Sequence, residues 1–239
     1  MIAVFNSIAD SMEIFSKSCL RCPSVREALF LLALTSTGLV GNYLNFELFF
    51  GVNFLFGSVA TMIAVRTSGT LWGTLVGIVI GSYTYIIWGH PYAIIIFGLE
   101  AFFVGFIICC LKRDNMILID VSYWLLIGVP MVWVSYYYHL GLQEPAVALI
   151  ALKQMANGIT NVVLASFFVQ FTPLARWISL NGFASDQANV SMYSAINTLL
   201  SIFIILPMLG ATIMSGQDTL KQIQENLNYV VNDLYLIHI

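Results

Sequence analysis

The chain has 239 residues, of which 59% are hydrophobic and only 9% charged, with a net charge of −3 and a mean hydropathy of +0.89. A soluble globular domain carries about 25% charged residues, so this composition excludes one and makes a lipid bilayer the solvent for most of the surface. No basic block and no interleaving of basic with aromatic residues points to nucleic acid as a partner.

Asp10 and Glu13 occupy the region that a secretory signal would keep cationic or apolar, so no cleaved leader is expected. In the first residues Ile2, Phe5, Ile8, Met12 and Phe15 recur at spacings of three or four, with Ser7, Asp10, Glu13 and Lys17 elsewhere. That pattern predicts an amphipathic helix lying along the interface within residues 1–26, too short and too polar to cross. A first span is expected at about Glu27 to Tyr43 and a second at about Leu48 to Val65, stopping at Arg66.

The third and fourth spans, about Thr70 to Trp88 and about Pro91 to Leu111, form a hairpin broken at Gly89-His90-Pro91. Gly73, Gly77 and Gly81 recur every fourth residue of the third, leaving one face open to close backbone approach. A fifth span runs from about Met116 to His139, where Pro130 removes a backbone donor and predicts a kink. Asp120, near its start, reads as a cap or an interfacial anchor. The sixth span reaches about Phe171 and carries Lys153, Gln154, Asn157, Thr160 and Asn161. After a polar segment, a seventh runs from about Tyr193 to Met214.

Beyond Ser215, Leu220, Ile223, Leu227, Val230, Leu234 and Ile237 alternate at spacings of three and four, the a/d seam of a helix seeking a partner. The expected fold class is therefore all-α: a polytopic seven-helix transmembrane bundle over residues 27–214, with an amphipathic N-terminal helix and an extended C-terminal helix. Residues 215–239 read as the start of an extracytoplasmic domain that continues downstream, with homodimerisation through the helical seam.

Lys and Arg accumulate in short cytoplasmic loops. Lys17, Arg21, Arg26, Arg66, Lys112, Arg113 and Arg176 all fall on one side of the predicted spans, and the loops near Asn45, His90 and Gln143 contain none. The N-terminus is accordingly expected inside and the C-terminus outside.

A charged side chain at mid-membrane is costly and marks a functional candidate. Counted from the outer helix ends, Glu100 and Lys153 each lie about eight residues deep, roughly 12 Å at 1.5 Å per residue, so the two are expected to meet and pair. Lys153, Asn157 and Asn161 share one helical face, with Gln154 beside it. Above them Asn53, Tyr83, Tyr85, Trp88, His90 and Tyr92 would supply amides and an aromatic wall, so that a pocket open outward is predicted for a small polar ligand. The same residues also fit a purely structural reading: a salt bridge, amide contacts between helices and an interfacial aromatic belt. His90, before Pro91, serves equally as a turn residue.

Cys19, Cys22, Cys109 and Cys110 are too few and too clustered for a disulfide framework and are read as reduced small hydrophobes, with neither metal nor cofactor expected. No His-Glu-x-x-His, Gly-x-Ser-x-Gly or glycine-rich phosphate loop occurs, so no enzymatic activity is assigned to these residues.

The run from Leu55 to Gly105, notably Gly81-Ser-Tyr-Thr-Tyr-Ile-Ile-Trp-Gly-His-Pro-Tyr-Ala93 and Leu99-Glu100-Ala101, together with Ala151-Leu-Lys-Gln-Met-Ala-Asn-Gly158, resembles the multi-span N-terminal membrane region of bacterial sensor histidine kinases and diguanylate cyclases. The resemblance implies an input module of a signal-transduction receptor in the bacterial inner membrane, with any kinase or cyclase output outside these residues. The glycine-rich hairpin is also similar to the substrate-binding subunits of energy-coupling vitamin transporters, which implies the alternative of a small-solute permease.

Overall fold

A computed structural model describes residues 23–44, 46–49, 52–111 and 115–171, with a few helical positions at 200–201, 221, 224–225 and 227–228. The expected N-terminal amphipathic helix, the first cysteine pair and Arg176 lie outside these residues. So do nearly all of the expected seventh span and most of the expected tail seam.

Helix α1 (Val25–Tyr43) starts at a capping box. The Ser24 N–H donates to Glu27 Oε2 at 2.8 Å and the Glu27 N–H donates to Ser24 Oγ at 3.3 Å, satisfying two otherwise orphaned donors. It buries Leu31, Leu34, Gly38 and Asn42 and leaves Leu29 and Leu32 more than half exposed. Apolar residues on the outward face are what a helix shows when its surroundings are lipid.

The second predicted span is not a continuous helix. Phe46–Phe49 (β1) and Val52–Phe54 (β2) pair antiparallel, with Phe46 opposite Phe54 and Glu47 opposite Asn53. Helix α2 begins only at Gly57 and ends at Ser68, 12 residues or about 18 Å, too short to cross about 30 Å of hydrocarbon. The aromatic-rich Phe-Glu-Leu-Phe-Phe-Gly-Val-Asn-Phe favours extended pairing, and average hydropathy cannot register that preference.

Among the described residues, four helices are long and apolar enough to cross a membrane: α3 (Thr70–Trp88), α4 (Tyr92–Leu111), α5 (Met116–His139) and α6 (Glu144–Phe171). They correspond to the third to sixth predicted spans. α1 is not among them, its 19 residues taking in Arg26, Glu27 and Asn42. α3 ends at Gly89, whose φ of 71° is left-handed and whose N–H donates to the Tyr85 carbonyl at 2.9 Å. Around Pro130 the distortion of α5 takes the form of two π-helical stretches, Trp124–Gly128 and Trp133–His139. Wider turns re-route the bonds that proline cannot make.

The glycine face of α3 receives α2 and α4. A Cβ on Gly73 would lie 2.5 Å from the Val65 Cα, and one on Gly77 2.8 Å from Thr61 Cγ2 and 3.3 Å from Ala101 Cβ. α2 is thereby held against α3, and it also packs on α1, α4 and α6. Met62 and Ala64 are fully buried there.

Candidate functional site

Three groups of buried polar residues stand out among the described residues. At mid-depth, asparagines hold the break between β2 and α2. Asn157 Oδ1 accepts the Leu55 N–H at 2.9 Å, and Asn161 Nδ2 donates to the Leu55 carbonyl at 2.7 Å. Asn42 Oδ1 accepts the Gly57 N–H at 2.8 Å while its Nδ2 donates to the Ile80 carbonyl at 3.1 Å. Extended backbone in this setting is tolerated only where protein groups satisfy it. Asn157 and Asn161 therefore act as structural clamps on Leu55.

At the end of the bundle that carries the Gly89-His90-Pro91 turn, aromatic rings and an ammonium converge. The His90 ring meets Tyr136 edge-on at 5.1 Å, Tyr92 at 5.3 Å and Trp88 at 6.3 Å. Tyr92 in turn stacks on His139 at 5.8 Å. Lys153 Nζ stands 4.6 Å from the centre of the Trp88 ring, a cation–π contact. Gln154 Nε2 donates to the Tyr136 hydroxyl at 3.3 Å, leaving its Oε1 buried without a donor. His90 Nδ1 is likewise buried and unpartnered, and burial pushes the imidazole below its usual value against a weaker opposing contact with its own backbone.

Five of the predicted pocket residues, Trp88, His90, Tyr92, Lys153 and Gln154, are thus brought together. Tyr83 is half-buried farther down α3 and takes no part in these ring contacts. Asn53 lies in β2, and its side chain is outside the described residues.

Glu100 does not join Lys153. Its carboxylate is 1% exposed, accepts the Trp124 indole N–H at 2.7 Å and faces Asp120. Counting from helix ends misplaced the pair because α4 and α6 do not start at one level. The α6 residue beside Glu100 is Gly158, where a Cβ would lie 2.7 Å from Glu100 Oε1 and collide with the Trp124 indole. Gly158 is about 21 Å from the start of α6, whereas Glu100 is about 12 Å from the start of α4, an offset of about 9 Å at 1.5 Å per residue. Asp120, expected as a cap or anchor, is fully buried. The N-cap of α5 is Asn115, whose side chain accepts the Leu118 N–H at 3.1 Å.

Sequence reasoning passed over Trp124 and Tyr136 as partners of the site. The i, i+4 spacing of Asp120 and Trp124 in an apolar helix was the available signal for one. For Tyr136 there was none, since Trp133-Val-Ser-Tyr-Tyr-Tyr-His139 offers several equivalent rings. Among the described residues no three His, Cys, Asp or Glu side chains gather as a metal site. No protein-family model, no curated protein and no solved structure matches the chain.

Proposed function

We propose that this chain is the membrane-embedded input module of a bacterial signal-transduction receptor, binding a small ligand at the His90 end of the bundle. In this reading that end faces outward from the inner membrane, seven spans place the N-terminus inside, and span seven passes the signal to a C-terminal helix that pairs in a homodimer. The reading is supported above all by the position of Lys153. Its ammonium rests on the face of Trp88 and has no carboxylate partner among the described residues. A half-buried cation balanced only by a ring quadrupole is poised for an anionic group. Beside it, Gln154 Oε1 is an unused acceptor and His90 Nδ1 an unused ring nitrogen. The ligand class this favours is a small carboxylate, amino acids included.

The test is titration of the full chain in nanodiscs with amino acids, other small carboxylates and nucleobases, followed by tryptophan fluorescence. A carboxylate is expected to quench saturably, with affinity weakened at least about tenfold, or 1.4 kcal/mol, by Lys153→Met. If nucleobases bind instead, equally well with and without the ammonium, the assignment of Lys153 fails.

One observation favours the permease alternative. The non-helical backbone at β1, β2 and Leu55, packed in the bundle ahead of the short α2, is the kind of irregular segment from which transporters build solute sites at mid-membrane. Uptake of the bound compound into proteoliposomes would establish transport, and saturable binding without uptake the receptor.

A further inference from the structure

Two carboxyl groups meet inside the helical bundle. Glu100 on α4 is 1% exposed and Asp120 on α5 is 0% exposed, and their side chains face each other. One Glu100 oxygen accepts the Trp124 N–H at 2.7 Å, whereas neither oxygen of Asp120 has a donor among the described residues. A carboxylate only accepts hydrogen bonds, so two facing carboxylates cannot satisfy each other.

Among the described residues, the neighbours on α5 and α6 give the pair no further donor. On α5, Tyr123 lies within electrostatic reach of both acids, but its hydroxyl donates to the Ile96 carbonyl at 2.6 Å. α6 presents Gly158, while its one ammonium, Lys153, lies five residues away, about 7.5 Å along the helix, over Trp88. α2, which also packs on α4, carries Arg66 in its last turn.

We propose that Glu100 and Asp120 form a proton-binding site, with one proton held between the two carboxyl groups in the interior of the bundle. The proton makes one acid an O–H donor to the other. It supplies Asp120 with the partner it lacks and leaves a single negative charge, which the Trp124 N–H stabilises. Two unshared negative charges in a low-dielectric interior would repel strongly. A metal cation would require more oxygen ligands than an indole, a committed phenol and a helical glycine can offer. The site is separate from the aromatic cluster at the His90 end and does not rest on the receptor reading.

Infrared spectroscopy of the full chain in nanodiscs at neutral pH tests the proposal. The expected spectrum contains the C=O stretch of a protonated carboxylic acid, shifted in heavy water and unchanged when choline replaces sodium. It is expected to disappear in both Asp120→Asn and Glu100→Gln, where an amide N–H takes the proton's place. Should either variant fail to fold, 13C labelling of Asp and of Glu in the unaltered protein is expected to shift the band with both labels. A folded protein without the band, or a band that survives both substitutions, would overturn the proposal. So would a melting temperature raised by sodium in protein that shows no such band.

Discussion

Asn157→Ala tests the view that α6 holds the non-helical segment at Leu55 in place. The substitution removes the acceptor of the Leu55 N–H, which is made at 2.9 Å by a side chain 1% exposed to a residue 2% exposed. Interhelical hydrogen bonds in membranes average about 0.6 kcal/mol, because the unfolded reference state also finds partners. Here the loss also strands a buried backbone donor, a penalty of about 1–3 kcal/mol, and water has little access to relieve it. A destabilisation of about 1–2 kcal/mol is therefore expected, read from reversible unfolding in mixed micelles with increasing SDS. Asn161→Ala, which strands the Leu55 carbonyl, should cost a similar amount, and the double variant less than the sum, because both clamps act on one residue. Amide exchange at Leu55 and Gly57 should accelerate in the single variant, while exchange in the middle of α4 stays unchanged. Stability within about 0.5 kcal/mol of the unaltered protein, with protection at Leu55 intact, would refute the clamp.

Gly158→Ala places a methyl group into the Trp124 indole and close to Glu100, so it should destabilise the bundle by about 1–3 kcal/mol and shift the Trp124 fluorescence. Ala156→Gly, one residue pair away on the same helix, controls for the backbone and should leave that emission unmoved. Burial holds His90 below its ordinary value of 6.5, so the folded state disfavours its protonation. The contribution of the neutral ring is complete above the unfolded value and is lost as pH falls through the lower folded value. The melting temperature should therefore drop between about pH 7 and pH 5 more steeply in the unaltered protein than in His90→Gln. Parallel curves for the two proteins would contradict that role.

The four long helices were legible from hydropathy because crossing a bilayer requires a run of apolar residues, and that requirement is local in sequence. So were the turn at Gly89-His90-Pro91 and the open face at Gly73 and Gly77, since left-handed backbone and close approach both call for glycine. The convergence of Trp88, His90, Lys153 and Gln154 at one end was also within reach, because each lies near a helix end or shares a face with its neighbour.

Pairing between helices was not legible in this way. Whether Glu100 meets Lys153 or Asp120 depends on the offset of α6 against α4, which is set by packing at Gly158 and Trp124 and leaves no trace in the spacing along either helix. The break before α2 is likewise a long-range matter. Leu55 can leave the helix inside the bundle because Asn157 and Asn161, more than 100 residues later, accept and donate the hydrogen bonds its own segment gives up. Apolar content carries the information that a segment is buried; which polar group it meets there is decided by the folded arrangement that brings distant residues to the same depth.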